Sequence, residues 1–76
     1  MTNEEKRVIA AAVRFARANT MNALQDAEYD AQRSHPDVRV RLAAVAAYDE
    51  AHACMVRAEL ELMDAVAAMG GTEASR

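Results

Sequence analysis

Seventy-six residues allow one domain at most, and a core that small supplies only about 3–5 kcal/mol unless disulfides, metals or partner subunits add to it. Hydrophobic residues are 53% of the chain but aromatics only 4%, and the surplus of alanine, with Pro36, Gly70 and Gly71 as the strong breakers, excludes β and α/β folds in favour of helix. The net charge of −3 lacks the basic excess of a general nucleic-acid binder: residues 1–41 carry seven basic and six acidic groups, residues 42–76 two and six.

Thr2-Asn3-Glu4-Glu5 reads as a capping box, with Thr2 as N-cap and Glu5 reaching back to its amide. The two glutamates also suit the positive end of the helix dipole. No breaker follows before Pro36, which predicts a first helix over about 3–33. Ile9, Val13, Ala16, Ala23, Leu24, Ala27 and Ala31 recur at helical spacing, with Thr20 among them, and are expected to form its core face. The polar side chains of Asn19-Thr20-Met21-Asn22 compete for backbone hydrogen bonds, so a break there, giving three helices, is the alternative.

Ser34-His35-Pro36-Asp37 reads as a second capping box, with Ser34 as N-cap and Pro36 in the first turn, where a missing amide costs nothing. Proline also pushes His35 out of helical angles, which predicts a bend over 34–37. A second helix is expected over about 36–69, closed by Gly70-Gly71, with a frayed tail over 70–76. Two long helices joined by so short a connection predict an antiparallel helical hairpin, all-α in class.

Helix 2 carries three heptad rows on a broad apolar stripe: Val38, Val45, His52, Glu59, Val66; then Arg41, Tyr48, Met55, Leu62, Met69; then Leu42, Asp49, Val56, Met63. A separate stripe of small residues, Ala44, Ala47, Ala51, Cys54, Ala58 and Ala65, suits close approach of a neighbouring helix. Two contact faces call for two neighbours, helix 1 and a second copy of the chain. The expectation is a homodimeric four-helix bundle. Its interface is expected to use Val45, Tyr48, His52, Met55, Val56, Glu59, Leu62, Met63 and Val66. A two-fold axis near Met55 and Val56 would bring His52 of one chain to Glu59 of the other.

Chemistry-bearing groups are sparse. Asp49-Glu50-Ala51-His52 spells a helicase signature, but it lies mid-helix in a chain without a phosphate loop. Asp49, His52 and Glu59 together suggest a small metal-dependent enzyme as the alternative reading, short of the further carboxylates such bundle sites use. Glu61-Leu62-Met63-Asp64 resembles half of the acidic magnesium motif of all-α nucleotide pyrophosphohydrolases. Its other half is missing, and a solvated face with Arg57 accounts for these residues. Arg33, His35, Arg39 and Arg41 gather at the bend, which would suit a nucleic-acid accessory protein, yet Asp30 and Asp37 interleave with them. Cys54 has no basic partner placed to activate it and reads as a packing residue. No catalytic residue, cofactor or metal is therefore expected.

A lone cysteine fits a reducing compartment, and no run approaches the roughly 20 apolar residues of a membrane span. With no secretory signal, the expected location is the cytoplasm. Eight arginines against one lysine, with abundant alanine, is the usage of a GC-rich genome. In this the chain resembles the short orphan α-helical proteins of actinobacteria and their bacteriophages, a resemblance of composition that implies no site. The expected function is a non-enzymatic protein–protein interaction module. Its partners would be itself and, for a phage-encoded chain, a host protein, with neither membrane nor nucleic acid among them.

Overall fold

A computed structural model describes residues 1–74, with side-chain surroundings given as far as Gly70. Two helices, α1 (Asn3–Gln32) and α2 (Val38–Ala74), pack against each other as a hairpin. Thr2 caps α1 as its sequence predicts: its backbone is extended and its hydroxyl oxygen accepts from the Glu5 amide at 3.1 Å. The expected reciprocal bond of Glu5 goes instead to the Thr2 hydroxyl, at 3.3 Å. The helix then runs unbroken through Asn19–Asn22, so three helices do not form. Thr20 is accommodated by donating its hydroxyl to the Ala16 carbonyl at 2.9 Å, one turn back.

The second cap is Asp37, not Ser34. Asp37 Oδ1 accepts from the Arg39 amide at 2.9 Å, and the Asp37 carbonyl receives the first helical bonds, from Val40 and Arg41. Ser34 lies in the preceding turn, exposed. The bend is held by the His35 amide donating to the Gln32 carbonyl at 2.9 Å and the Asp37 amide donating to His35 Nδ1 at 3.0 Å. Pro36 thus sits ahead of α2, and the helix begins at Val38 instead of about residue 36. At the far end α2 passes through Gly70 and Gly71 to Ala74, beyond the expected stop at Met69. Among the described residues no glycine takes a positive φ, so the left-handed cap that would end the helix does not form. Of the expected tail, Ser75 and Arg76 lie outside the described residues.

The face α1 turns to α2 also differs from expectation. Ile9, Val13, Ala16, Ala23, Leu24, Ala27 and Ala31 are all exposed. Val8, Ala11, Phe15, Ala18, Asn22, Gln25, Tyr29 and Gln32 are buried or half-buried, alternating three and four residues apart, with Ala12 half-buried beside Ala11. That 3.5-residue repeat keeps a seam facing its partner along the whole length of a helix pair. It also carries Phe15 and Tyr29, whose burial outweighs that of the alanines on the expected face. Asn22, Gln25 and Gln32 are the polar members that hide this row in the sequence.

On α2 the matching seam combines Arg41, Tyr48, Met55 and Leu62 with Ala44, Ala51, Ala58 and Ala65. One row of the expected apolar stripe and most of the small-residue stripe therefore serve a single neighbour, α1. Among the described residues the buried ones are Ala11, Ala44, Ala58 and Ala65, and no large side chain is completely enclosed. A seam so thin leaves an elongated body, 58 × 22 × 13 Å, with a radius of gyration of 17.1 Å where a compact chain of this length would have about 11 Å. Its smallest dimension is that of one layer of helices. Domains ordinarily bury their cores between two layers.

Candidate functional site: the open face of the hairpin

The two sides of the hairpin differ because different heptad positions flank the seam on each. On one side, Arg7 and Arg14 of α1 reach across to Asp64 and Glu61 of α2, with Nη2–Oδ2 at 2.9 Å and Nε–Oε2 at 3.1 Å. These four side chains enclose a cleft floored by Ala11 and Ala65. Further along the same side Gln25, Glu28 and Gln32 meet Val40, Ala43 and Ala47. All four charged partners remain more than half exposed, so each pair contributes at most about 1 kcal/mol; their larger effect is to set the register of the two helices. Glu61 and Asp64, expected to face solvent beside Arg57, are the α2 half of this ladder. Arg7 and Arg14 were not singled out from the sequence, although their seven-residue spacing opposite an acidic pair is the signal of cross-helix pairing.

The opposite side has no ion pair across it and carries its large apolar side chains mainly on α2. Beyond the seam of α2 on that side run Val38, Val45, His52, Glu59 and Val66, and next to them Leu42, Asp49, Val56 and Met63. From α1 the same side receives Ile9, Ala12, Ala16 and Ala23, with Asn19, Asp26, Asp30 and Arg33 among them towards the bend, by the same heptad arithmetic. At the bend end it opens into a groove lined by Tyr29, Arg33, Val38, Arg41, Leu42 and Val45. Leu42 is 62% exposed, Met63 59%, Ile9 and Val66 50% each. A row of large apolar side chains left this open along one side of a molecule marks an interaction surface.

The expected interface residues divide between these environments. Tyr48, Met55 and Leu62 are half-buried against α1, whereas Val45, His52, Val56, Glu59, Met63 and Val66 stand on the open face. His52 lies at the rim of the seam. Its ring stacks on Tyr48, with centroids 6.2 Å apart and planes 11° from parallel, and Tyr48 in turn packs on Tyr29 at 5.5 Å. Asp49, His52 and Glu59 are all exposed, and among the described residues no group of three or more histidine, cysteine or carboxylate side chains is drawn together.

The arginines at the bend do not converge either. Arg33 pairs with Asp30 at 3.7 Å, Arg39 with Asp37 at 3.1 Å, and Arg41 donates to the His35 carbonyl. The Arg39 side chain and backbone amide hold the Asp37 carboxyl below its ordinary range. Cys54 is exposed on the flank of the ion-paired side, with Arg57 Nη2 3.1 Å from its sulfur. Asn22, midway along the seam, has a side-chain oxygen that is buried with no hydrogen-bond partner.

No helix among the described residues is long and apolar enough to cross a membrane. No protein-family model, curated protein or solved structure matches this chain.

Proposed function

We propose that this chain is a non-enzymatic protein–protein interaction module that works as a self-associating helical bundle. The observation that carries this reading is the open apolar face, set against a seam in which the buried ones among the described residues are all alanine. A hairpin one layer thick has no second layer to cover that face, and the economical second layer is another hairpin, giving four helices around a common core. A further protein, such as a host factor, would engage the assembled bundle through surfaces that remain outside it.

The test is light scattering coupled to gel filtration across micromolar concentrations. Twice the chain mass of 8.3 kDa supports the reading. A monomer that persists at high micromolar concentration and unfolds independently of concentration overturns it.

A further inference from the structure

We propose that two copies meet through the open face about a two-fold axis crossing α2 at Met55 and Val56. In this arrangement α2 lies antiparallel to α2, α1 lies antiparallel to α1, and the two bends sit at opposite ends of the bundle. The proposal rests on the self-association reading and adds to it the face, the register and a polar lock between His52 and Glu59.

Area argues for a second copy as the occupant. A compact monomer of 8.3 kDa exposes about 4,600 Å², and this hairpin exposes 5618 Å². The excess is roughly 1,000 Å², and a standard stable interface covers about 800 Å² on each partner. A short peptide docked at one end would leave most of a 58 Å face uncovered, whereas a second hairpin of the same length covers it from end to end. Of the two sides, the ion-paired one is already closed by Arg7–Asp64 and Arg14–Glu61, so stacking there would bury or break two ion pairs formed within the chain.

Register follows from where the groups fall on α2. Val56 is the midpoint of Val38–Ala74, so an axis there overlaps the two helices along their full length. In an antiparallel pair, residues equally far from the axis on either side stand opposite one another. His52 then faces the partner's Glu59, Val45 faces the partner's Val66, and Val56 lies beside its own symmetry mate. Among the described residues neither His52 nor Glu59 has a hydrogen-bond or ion-pair partner within its own chain. They stand with Asp49 among the apolar residues of this face, and this register gives each of the two one partner, so that the His52–Glu59 pair forms twice in the dimer. Sliding by one heptad strands both, which is how buried polar pairs specify register. On α1 the same face presents Ala12, Ala16 and Ala23 with Asn19 among them, small enough for the second α1 to approach at mid-length, while Asp26, Asp30 and Arg33 lie towards the ends of the bundle.

Cross-linking of the full chain tests the arrangement. In a Cys54→Ser background, Val56→Cys places a thiol at the proposed axis, and Val66→Cys places one far from it. Mild oxidation should convert most of the Val56→Cys chain to a covalent dimer on a non-reducing gel. The Val66→Cys chain should cross-link to itself little, but efficiently to a Val45→Cys chain mixed with it. Light scattering on the same samples keeps the two readings apart. A dimer in which Val56→Cys and Val66→Cys both link to themselves would place both bends at one end, and one in which only Val66→Cys does would shift the axis; either overturns this register while self-association stands. A monomer overturns both.

Discussion

Replacing Ala65 with leucine probes the seam at its tightest point. Ala11 and Ala65 are each only 1% exposed and together form the floor beneath the Arg7–Asp64 and Arg14–Glu61 bridges. Leucine adds roughly three carbons, which would stabilise by about 2 kcal/mol if the seam had room to bury them. A close-packed seam has none, and the helices must separate, at a typical overpacking cost of about 1–3 kcal/mol. Separation would also pull apart the two bridges on either side of the site. The sign of the effect therefore reports the packing. For a chain this short the expected loss lowers the melting midpoint by about 5–15 °C, a large fraction of its stability. Ala53→Leu is the control, since Ala53 is exposed on the same helix and the substitution there should fall within about 0.5 kcal/mol of wild type. Urea titration followed by circular dichroism, at one protein concentration for all variants, measures both. An Ala65→Leu chain as stable as wild type, or more so, would refute the close-packed alanine seam.

Asp37→Ala should lower the melting midpoint by about 4–8 °C, as the loss of an N-cap does, while Ser34→Ala leaves it unchanged; equal effects would return the cap to Ser34. Because Asp37 is held below its ordinary pKa in the folded chain, its contribution is present above the ordinary carboxylate range and disappears as pH falls through the folded value. Acid titration of helicity should show this, and Asp37→Asn, which caps without titrating, should flatten that part of the curve. Asn22→Leu should raise stability by about 1–3 kcal/mol by removing an unpartnered buried oxygen, and a loss would reveal a partner for it. Exchanging the charges of Arg14 and Glu61 should restore what each single reversal loses, with a coupling below about 1 kcal/mol that fades in salt; strictly additive losses would show that the pair contributes no coupling.

Helix existence and number were legible from local chemistry alone. Alanine-rich stretches free of breakers, Thr2 before two glutamates and Pro36 at the bend act within a turn or two, so each predicts its own neighbourhood without knowledge of the rest of the chain. Local chemistry misled where two signals competed in the same few residues. Ser34 and Asp37 are both good caps, and the hydrogen bonds of His35 around Pro36 delay the helix until Asp37 can serve. Gly70-Gly71 permits a stop without compelling one, since glycine can also continue a helix at a cost of about 1 kcal/mol.

Which face of each helix is inside was decided by the pairing. Both helices carry more apolar rows than one neighbour can cover, so periodicity left several solutions of similar quality. The seam with Phe15 and Tyr29 on α1 lies against Tyr48, Met55 and the alanine row of α2, because large side chains bury most where the opposing ones are small. That choice put Ile9, Leu42, Val56 and Met63 outside and assembled the open face, a property of two helices together that neither shows by itself. The ladder of Arg7, Arg14, Glu61 and Asp64 has the same origin: these residues are 47 and 57 positions apart in the chain, and tertiary packing brings them into contact.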